Sequence, residues 1–335
     1  MNDEYKDVWI LAEQHGGRVL RISHELLTRG ALLAAKRKCK LCAMIFGHGI
    51  PDTDLQDLIL RGADLVVATE APELENFLPE PYAACMHKIL ADYKPEIILA
   101  GATSTGRTLM PYVAMTAHAG LTADCTLLDI EDATGNLLQT RPAIGGNIMA
   151  TIKTPDFRPQ MATIRPHSTP PAEAVKGRTG NIVRVKAPSE LLSGRVIQTA
   201  FIPNEELHGI QDAEVVVAVG RGIKKAENIA LVRELADLLG AALGATRDVV
   251  DRGWLSYPHQ IGLSGKTISP ELYIGVGVSG SIQHLAGMQT SKTIIAVNND
   301  PDAQIFKVAD VGIVGDLFEV VPALVRKIKG GGKLI

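Results

Sequence analysis

Cysteine is scarce in this chain: Cys39, Cys42, Cys85 and Cys125 are the only ones in 335 residues, all in the first half. Cys39-Lys-Leu-Cys42 has redox or metal spacing, but no second pair and no His-x-x-x-His run completes a zinc or iron–sulfur set. The four read as structural thiols of a reducing compartment. A long Lys/Arg run is also missing. With 21% charged residues and a formal net charge of -3, nothing supplies the basic surface a nucleic acid needs. No apolar run approaches the length of a membrane span, so no membrane insertion is expected. The opening Met-Asn-Asp-Glu-Tyr-Lys-Asp is too polar and acidic for a signal peptide, which leaves the cytoplasm as the expected location. The closing Lys327-Ile-Lys-Gly-Gly-Gly-Lys333 reads as a frayed, solvated tail.

The length sets a prior of two domains, each large enough for its own core. In the first half, residues 8–12, 41–46, 65–68 and 97–100 are short apolar runs suited to buried strands. Residues 22–38, 54–61, 82–93 and 107–119 repeat apolar side chains at the helix period. Leu26, Leu27, Leu32 and Leu33 mark the first helix, and Lys36-Arg37-Lys38 closes it where the helix dipole favours cations. This alternation predicts a parallel, doubly wound α/β sheet with right-handed crossovers. From 124 to 165 it gives way to strands and turns, including 147–153 and 160–165. Gly101-Ala-Thr-Ser-Thr-Gly106 lies at a strand-to-helix turn. It reads either as a phosphate loop or as a Ser/Thr-capped helix start, and it lacks the Gly-Lys-Ser/Thr of a P-loop.

Pro166-His-Ser-Thr-Pro-Pro171, followed by Lys176-Gly-Arg-Thr-Gly180, is the sharpest break in composition. Residues 182–185 add one last strand to the first domain. The change of domain falls between the break and about Asn204, which separates 1–196 from 197–335. Beyond it, 215–219, 273–278, 293–297 and 311–314 read as strands and 228–239 as a helix, with a helical pattern after each of the last three strands. The stretch from Glu271 to Met288 organises this half. Its strand breaks at Ser279-Gly280-Ser281, and Ile282, Leu285 and Met288 then recur at the spacing of a helix face. Such a turn aims backbone N–H groups and a positive helix end at one spot, which favours a phosphate or pyrophosphate. Gly275, Gly277 and Gly280 also fit G-x-G-x-x-G, and Asn298 to Asp300 follow at about the 20-residue distance where a dinucleotide fold needs a ribose partner.

A parallel sheet binds ligands outside the carboxyl ends of its strands. The polar residues there are Arg221, Thr246, Arg247, Gln260-Ile-Gly-Leu-Ser-Gly265, Ser279 to His284, Asn298 and Asp316. Singly, each has a plain alternative: Arg221 and Arg247 as surface ion pairs, Ser264 as a turn residue, His284 as a helix-face histidine bonded to backbone. Together they are two guanidinium groups, an imidazole and small hydroxyls at the ends of consecutive elements, a site for an anionic, extended ligand. This half has no nucleophile with its base, no paired carboxylates and no metal set, which favours holding a redox cofactor over hydrolysis or group transfer. Two other classes compete. A stand-alone NAD-dependent oxidoreductase would need an acid or base beside the nicotinamide, and His284 lies on the dinucleotide-side helix. A nucleotide-sensing module would leave Arg247 and Ser264 without a common purpose.

Val219-Gly-Arg-Gly222, Gly244-Ala-Thr-Arg247, Gln260-Ile-Gly-Leu-Ser-Gly-Lys266, the run from Pro270 to Met288, Val297-Asn-Asn-Asp-Pro-Asp302 and Gly315-Asp-Leu-Phe318 closely resemble the electron transfer flavoprotein α subunits. Val8-Trp-Ile-Leu-Ala-Glu13 and Arg141-Pro-Ala-Ile-Gly-Gly-Asn147 extend the resemblance over essentially the whole chain. It implies a Rossmann-like doubly wound N-terminal domain and a flavodoxin-like parallel-sheet C-terminal domain that binds FAD. By residue, Arg221, Thr246, Arg247, Gln260, Ile261, Gly262, Leu263, Ser264, Ser279, Gly280, Ser281, Ile282, Gln283, His284, Asn298, Asp316 and Leu317 match the family's FAD-contacting positions. Arg247 matches the arginine over the isoalloxazine, Ser264 the hydroxyl that bonds N5, and His284 the residue near the pyrimidine carbonyl. Ser279 to Ser281 match the pyrophosphate turn, and Asn298 and Asp316 the adenosine end. The family often has Thr where Ser264 stands, a change that keeps the hydroxyl. Arg247 and His284 are expected to act as cations that stabilise the reduced, anionic flavin.

The resemblance further implies a heterodimer with a homologous β subunit that carries the second nucleotide, and transient docking on an acyl-CoA or related dehydrogenase. The expected function is single-electron transfer. Some members bifurcate electrons from NADH through a second FAD in β, and the Gly145-Gly-Asn-Ile-Met-Ala-Thr-Ile152 run, similar to that of anaerobic bacterial members, leans that way. The four cysteines do not supply the ferredoxin-like extension that some of those members carry. Residues 166–180 would permit the FAD domain to move.

Overall fold

The computed structural model describes residues 4–143, 148–166, 168–201, 210–211 and 213–330. Of the positions read above, 1–3, 144–147, His167, Asn204 and the tail from 331 lie outside them. The chain forms two compact units, Met1–Phe201 and Ile202–Ile335.

The first unit runs through β1 (Lys6–Ala12), a small hairpin of β2 (Gln14–His15) and β3 (Arg18–Val19), α1 (Arg21–Arg37), β4 (Leu41–Gly47), α2 (Asp52–Leu60), β5 (Leu65–Glu70), α3 (Pro79–Tyr93), β6 (Pro95–Gly101) and α4 (Ser104–Thr116). It continues with β7 (Leu121–Cys125), β8 (Leu127–Ile130), β9 (Leu137–Pro142), β10 (Met149–Ile152), β11 (Gln160–Ile164), β12 (Asn181–Lys186) and the one-turn α5 (Ser189–Leu192). Seven parallel strands form one sheet in the order β12-β5-β4-β1-β6-β11-β7. The two-residue period of a strand sorts β1 between two cores. Val8, Ile10 and Ala12 pack with Ile22, Leu26, Leu55 and Leu58 of α1 and α2. Trp9 and Leu11 pack with Tyr82, Met86, Leu109 and Val113 of α3 and α4. Helices thus cover both faces, as a buried parallel sheet requires. The order β5-β4-β1-β6 is the 3-2-1-4 arrangement of a Rossmann-like sheet. The change of pattern after residue 124 is an antiparallel meander of β8, β9 and β10.

Residues 166–180 lie inside this unit, which corrects their reading as a segment that permits domain motion. The Ala172 amide donates to the His24 carbonyl (3.0 Å) and the Val175 amide to the Leu60 carbonyl (2.8 Å). Arg178 Nη2 donates to the Asp64 carboxylate at 2.7 Å. Proline denies the run a regular ladder, and these bonds to α1, α2 and the following loop replace it. The run delivers β12 to the sheet edge beside β5.

The second unit contains β13 (Val215–Val219), α6 (Ile229–Leu239), β14 (Ala242–Ala245), α7 (Arg247–Asp251), β15 (Leu272–Val276), α8 (Ile282–Leu285), β16 (Thr293–Asn298), β17 (Val311–Val314) and α9 (Leu317–Lys329). Its five parallel strands have the order β14-β13-β15-β16-β17, the 2-1-3-4-5 arrangement of a flavodoxin-like sheet. α6 and α9 cover one face over Val217, Val219, Ile274 and Val276. Loops close the other, where Ile261, Ile268, Met288 and Ile305 pack on Val216, Tyr273 and Ala296.

Two expected helices are shorter than their patterns suggest. After β16 only a 3-10 turn, Gln304–Lys307, forms. After β15 the helix is the single turn α8. Ile282 is 67% exposed while Met288 is fully buried, so the two do not share a face. Close packing ends the helix: a Cβ on Gly287 would lie 2.5 Å from the Gly262 nitrogen. The Gly287 carbonyl accepts instead from the Ile268 amide at 2.8 Å.

Candidate functional site

In the second sheet the chain moves from β13 to β14 on one side, then to β15 on the other. Ligands bind at such a switch point, outside the carboxyl ends of the strands. A cavity of about 420 Å³ opens there, lined by Arg221 after β13, Thr246 and Arg247 after β14, Ile261, Gly262, Leu263 and Ser264 from the following loop, and Ser279, Gly280, Ser281, Gln283 and His284 after β15. These are twelve of the seventeen residues expected from sequence. Asp248 and Asp251, which sequence reading passes over, also line it.

The turn after β15 is held open to a ligand by its backbone. Gly280 has φ +82°, and a Cβ there would lie 2.3 Å from the Ile305 nitrogen, so any side chain would strain the turn and strike backbone. Among the described residues, the N–H groups of Ser279, Gly280, Ser281, Ile282 and Gln283 make no backbone hydrogen bond. Thr246 and Ser281 stand at the N-cap positions of α7 and α8, yet neither hydroxyl caps its helix. Unspent donors at one spot are what an anionic ligand needs.

His284 is not the expected cation. It is 4% exposed, and burial pushes its pKa down to about 4, which leaves the ring neutral at physiological pH. Nδ1 lies 3.1 Å from the Ile261 carbonyl, which can only accept, so Nδ1 carries the proton. Nε2, 2.8 Å from the hydroxyl of the fully buried Tyr273, accepts from it. The histidine therefore ties α8 to the loop after β14, close to the plain alternative read from sequence.

The guanidinium groups remain as the positive charges of the cavity. Arg247 Nε pairs with Asp251 at 3.1 Å along α7, and Arg221 Nε with Asp248 at 3.6 Å. The signal for both carboxylates was their place one and four residues beyond Arg247, at the carboxyl end of β14. Ser264 stays in the loop because Tyr257 Oη donates to its carbonyl at 2.8 Å.

Five expected residues do not line this cavity. Gln260 is buried behind Ser264, and Ile282 is turned to solvent. Asn298 spends its amide on the turn, donating to the Val278 carbonyl (2.8 Å) and accepting from the Asp300 amide (3.0 Å). Asp316 caps α9 by accepting from the Phe318 amide at 2.9 Å. Leu317 packs in the core over Gly277. Asn298 thus shapes the turn that follows β15. The one-turn α8 also lacks the helix that a G-x-G-x-x-G dinucleotide fingerprint opens, which removes the main support for a nicotinamide-binding reading.

The first unit has its own switch point, between β1 and β6, and fills it. Glu13, 6% exposed, follows β1. Its carboxylate accepts from Thr103 Oγ1 at 2.8 Å, and Thr103 in turn caps α4 by accepting from the Gly106 amide at 3.1 Å. Burial pushes the Glu13 pKa up to about 7. Gly101-Ala-Thr-Ser-Thr-Gly106 is therefore the capped helix start of its two readings. The cysteines are free thiols, and burial pushes Cys85 up to about 11 and Cys125 to about 12. Among the described residues, no cluster of His, Cys, Asp or Glu is placed to hold a metal.

The cavity gathers N–H groups without backbone partners, two guanidinium groups and small hydroxyls, donors suited to an anionic, extended ligand. Comparison with known proteins agrees. Residues 8–190 match the electron transfer flavoprotein domain, and residues 209–289 match the electron transfer flavoprotein FAD-binding domain. The electron transfer flavoprotein subunit alpha of Thermoanaerobacterium thermosaccharolyticum is 46% identical over 98% of this chain and 99% of its own length. The acryloyl-CoA reductase electron transfer subunit beta of Anaerotignum propionicum is 39% identical over 98% of this chain and 97% of its own. Subunit LctC of the lactate dehydrogenase (NAD(+),ferredoxin) of Acetobacterium woodii is 38% identical over 97% of this chain and 78% of its own.

Proposed function

We propose, starting from the fact that this chain belongs to the electron transfer flavoprotein α-subunit family, that its second unit holds FAD across the cavity beside β13 and β15 and serves single-electron transfer. The observation that carries this reading is the run 279–283, whose N–H groups make no backbone hydrogen bond and of which Ser279, Gly280, Ser281 and Gln283 line the same cavity as Arg221 and Arg247. In this reading the turn binds the pyrophosphate, Arg247 lies over the ring, and Ser264 donates to the ring nitrogen N5. Asn298, Asp316 and Leu317 support the adenosine end. FAD supplies the redox chemistry when bound, and the protein supplies orientation and charge. Arg247 then stabilises negative charge on the reduced ring, without help from His284.

Members of this family work with a β subunit as a heterodimer. A dehydrogenase of the acyl-CoA type is the electron donor we propose, and the cytoplasm the place. Among the described residues no helix is long and apolar enough to cross a membrane. The acryloyl-CoA reductase and NAD(+),ferredoxin-dependent relatives support, for this chain, a bifurcating complex that uses NADH and ferredoxin.

Co-purification with the neighbouring β subunit tests both levels. One FAD per heterodimer, unreduced by NADH without oxygen, would make it a simple carrier. Two FAD bleached by NADH would place it in the bifurcating class. An intact, soluble heterodimer without flavin would overturn the reading.

A further inference from the structure

On the reading that this cavity takes FAD, we infer that Gln260 is a positioning residue that makes the Ser264 hydroxyl a hydrogen-bond donor toward the cavity. Gln260 is 3% exposed and does not line the cavity itself. Its Nε2 donates to Ser264 Oγ at 3.0 Å. A hydroxyl has one proton to give and lone pairs to receive. With one lone pair taken by Gln260, the Ser264 proton has no acceptor on that side and turns toward the cavity. There it meets a ring nitrogen that stays an acceptor and gains negative charge when the ring takes one electron, so the bond is stronger after reduction.

The loop is built to hold this pair. The Gln260 amide donates to the Tyr257 carbonyl at 2.9 Å, and the Gln260 carbonyl accepts from the Lys266 amide at 2.6 Å. Tyr257 Oη fixes the Ser264 carbonyl. A Cβ on Gly265 would lie 2.3 Å from the Gln260 carbonyl oxygen, so glycine there lets the loop fold down over Gln260. Glutamine is the residue that can donate here without charge. Glutamate in its place, once ionised, only accepts, and would take the Ser264 proton for itself.

The test uses the full chain with its β subunit, as wild type and as Gln260→Glu, Gln260→Met, Ser264→Ala and the double variant Gln260→Glu/Ser264→Ala. Absorbance counts the flavin, and an anaerobic spectroscopic titration gives its midpoint potential. Ser264→Ala should disfavour reduction about tenfold, a fall of about 59 mV for one electron. Gln260→Glu should reproduce that fall although the hydroxyl remains, and Gln260→Met should give a smaller one. The carboxylate's own charge acts in both backgrounds, so Gln260→Glu should cost more with serine at 264 than in the Ser264→Ala background. Equal shifts in the two backgrounds would overturn the inference, as would a wild-type potential in Gln260→Met. Loss of flavin from both Gln260 variants alone would make Gln260 a loop support and overturn it too. Wild type without flavin would overturn the underlying FAD reading, a separate result seen in the absorbance alone.

Discussion

Between β1 and β6 of the first unit, the residue that follows the first strand is Glu13, and its carboxylate sits against Thr103 and the end of β6. Between β13 and β15 of the second unit, the corresponding residue is Gly220, where a Cβ would lie 2.1 Å from the Gly277 carbonyl oxygen. The two places are equivalent in topology, each at a point where the strand order reverses. In one, the chain fills the place with its own carboxyl group. In the other, glycine brings the strand ends together, and among the described residues the N–H groups of 279–283 make no backbone hydrogen bond. Topology thus sets where a ligand could go, and the residue after the first strand decides whether one does.

Closing the open site is the most severe way to break this contrast. Gly280→Ala places a Cβ at φ +82° against the Ile305 backbone. Strain alone costs about 1–3 kcal/mol at such a position, and the clash moves the turn whose N–H groups face the cavity. The expected outcome is loss of flavin from a heterodimer that stays assembled, measured as absorbance per heterodimer after gel filtration. Retained flavin would remove the turn from its proposed role.

Glu13 gives the next largest effect, with pH as the handle. Burial raises its pKa from the ordinary 4.5 to about 7 in the folded chain. Between those values the unfolded chain releases a proton that the folded chain keeps, so stability is present below about 4.5 and is lost as pH rises through 7. The shift is worth on the order of 3 kcal/mol. Gln in its place keeps an acceptor for Thr103 and cannot ionise. Glu13→Gln should therefore remove this part of the decline in urea stability between pH 5 and pH 8. An identical decline in variant and wild type would mean the carboxylate is ionised in place.

What sequence made legible follows from the range of the forces involved. The strands of both sheets are short apolar runs, and burial on two faces leaves little choice of residue, so 8–12, 41–46 and 293–297 fall within the observed strands β1, β4 and β16. The charged and hydroxyl residues at strand ends were legible for the same reason, since a parallel sheet puts such residues at its ligand-binding edge. Ile282, Leu285 and Met288 misled because the helix stops at a contact between Gly287 and Gly262, 25 residues apart in sequence. Asp248 and Asp251 carry a weaker signal, their place just beyond Arg247 after β14, and only the fold turns them into the cavity. The neutrality of His284 rests on burial beneath that same loop, which no local spacing reveals.

Tyr273→Phe sharpens the comparison at the second site. It removes the hydroxyl that His284 Nε2 accepts from and leaves a buried acceptor without a partner, a loss of about 1–3 kcal/mol. Thermal unfolding should register it, while Glu13 in the other unit is untouched. The two sites also oppose each other in pH. Burial lowers His284 from 6.5 to about 4, so below about 6.5 the unfolded chain takes a proton that the folded ring does not. Its contribution is lost as pH falls, where that of Glu13 is lost as pH rises. A variant as stable as wild type would show that the hydroxyl is not the donor on which the ring depends.

The smallest change is expected where the charges are most exposed. Arg247 and Asp251 pair at 3.1 Å with side chains 70% and 59% exposed, and such pairs contribute about 0–1 kcal/mol. Asp251→Asn should therefore leave the melting temperature nearly unchanged. The same substitution removes a negative charge from the cavity lining, so the flavin potential should rise, and by less in high salt, which screens exposed charges. Arg247→Ala should do the reverse and lower the potential, again with little effect on stability. Stability and potential respond separately here because solvent shields the pair from each other more than a bound ring would be shielded from Arg247. The buried carboxylate of the first unit has no such separation: at Glu13 a change of charge is a change of fold stability. Opposite potential shifts in Asp251→Asn and Arg247→Ala would support this contrast. Unchanged potentials in both would take Arg247 out of the charge-stabilising role.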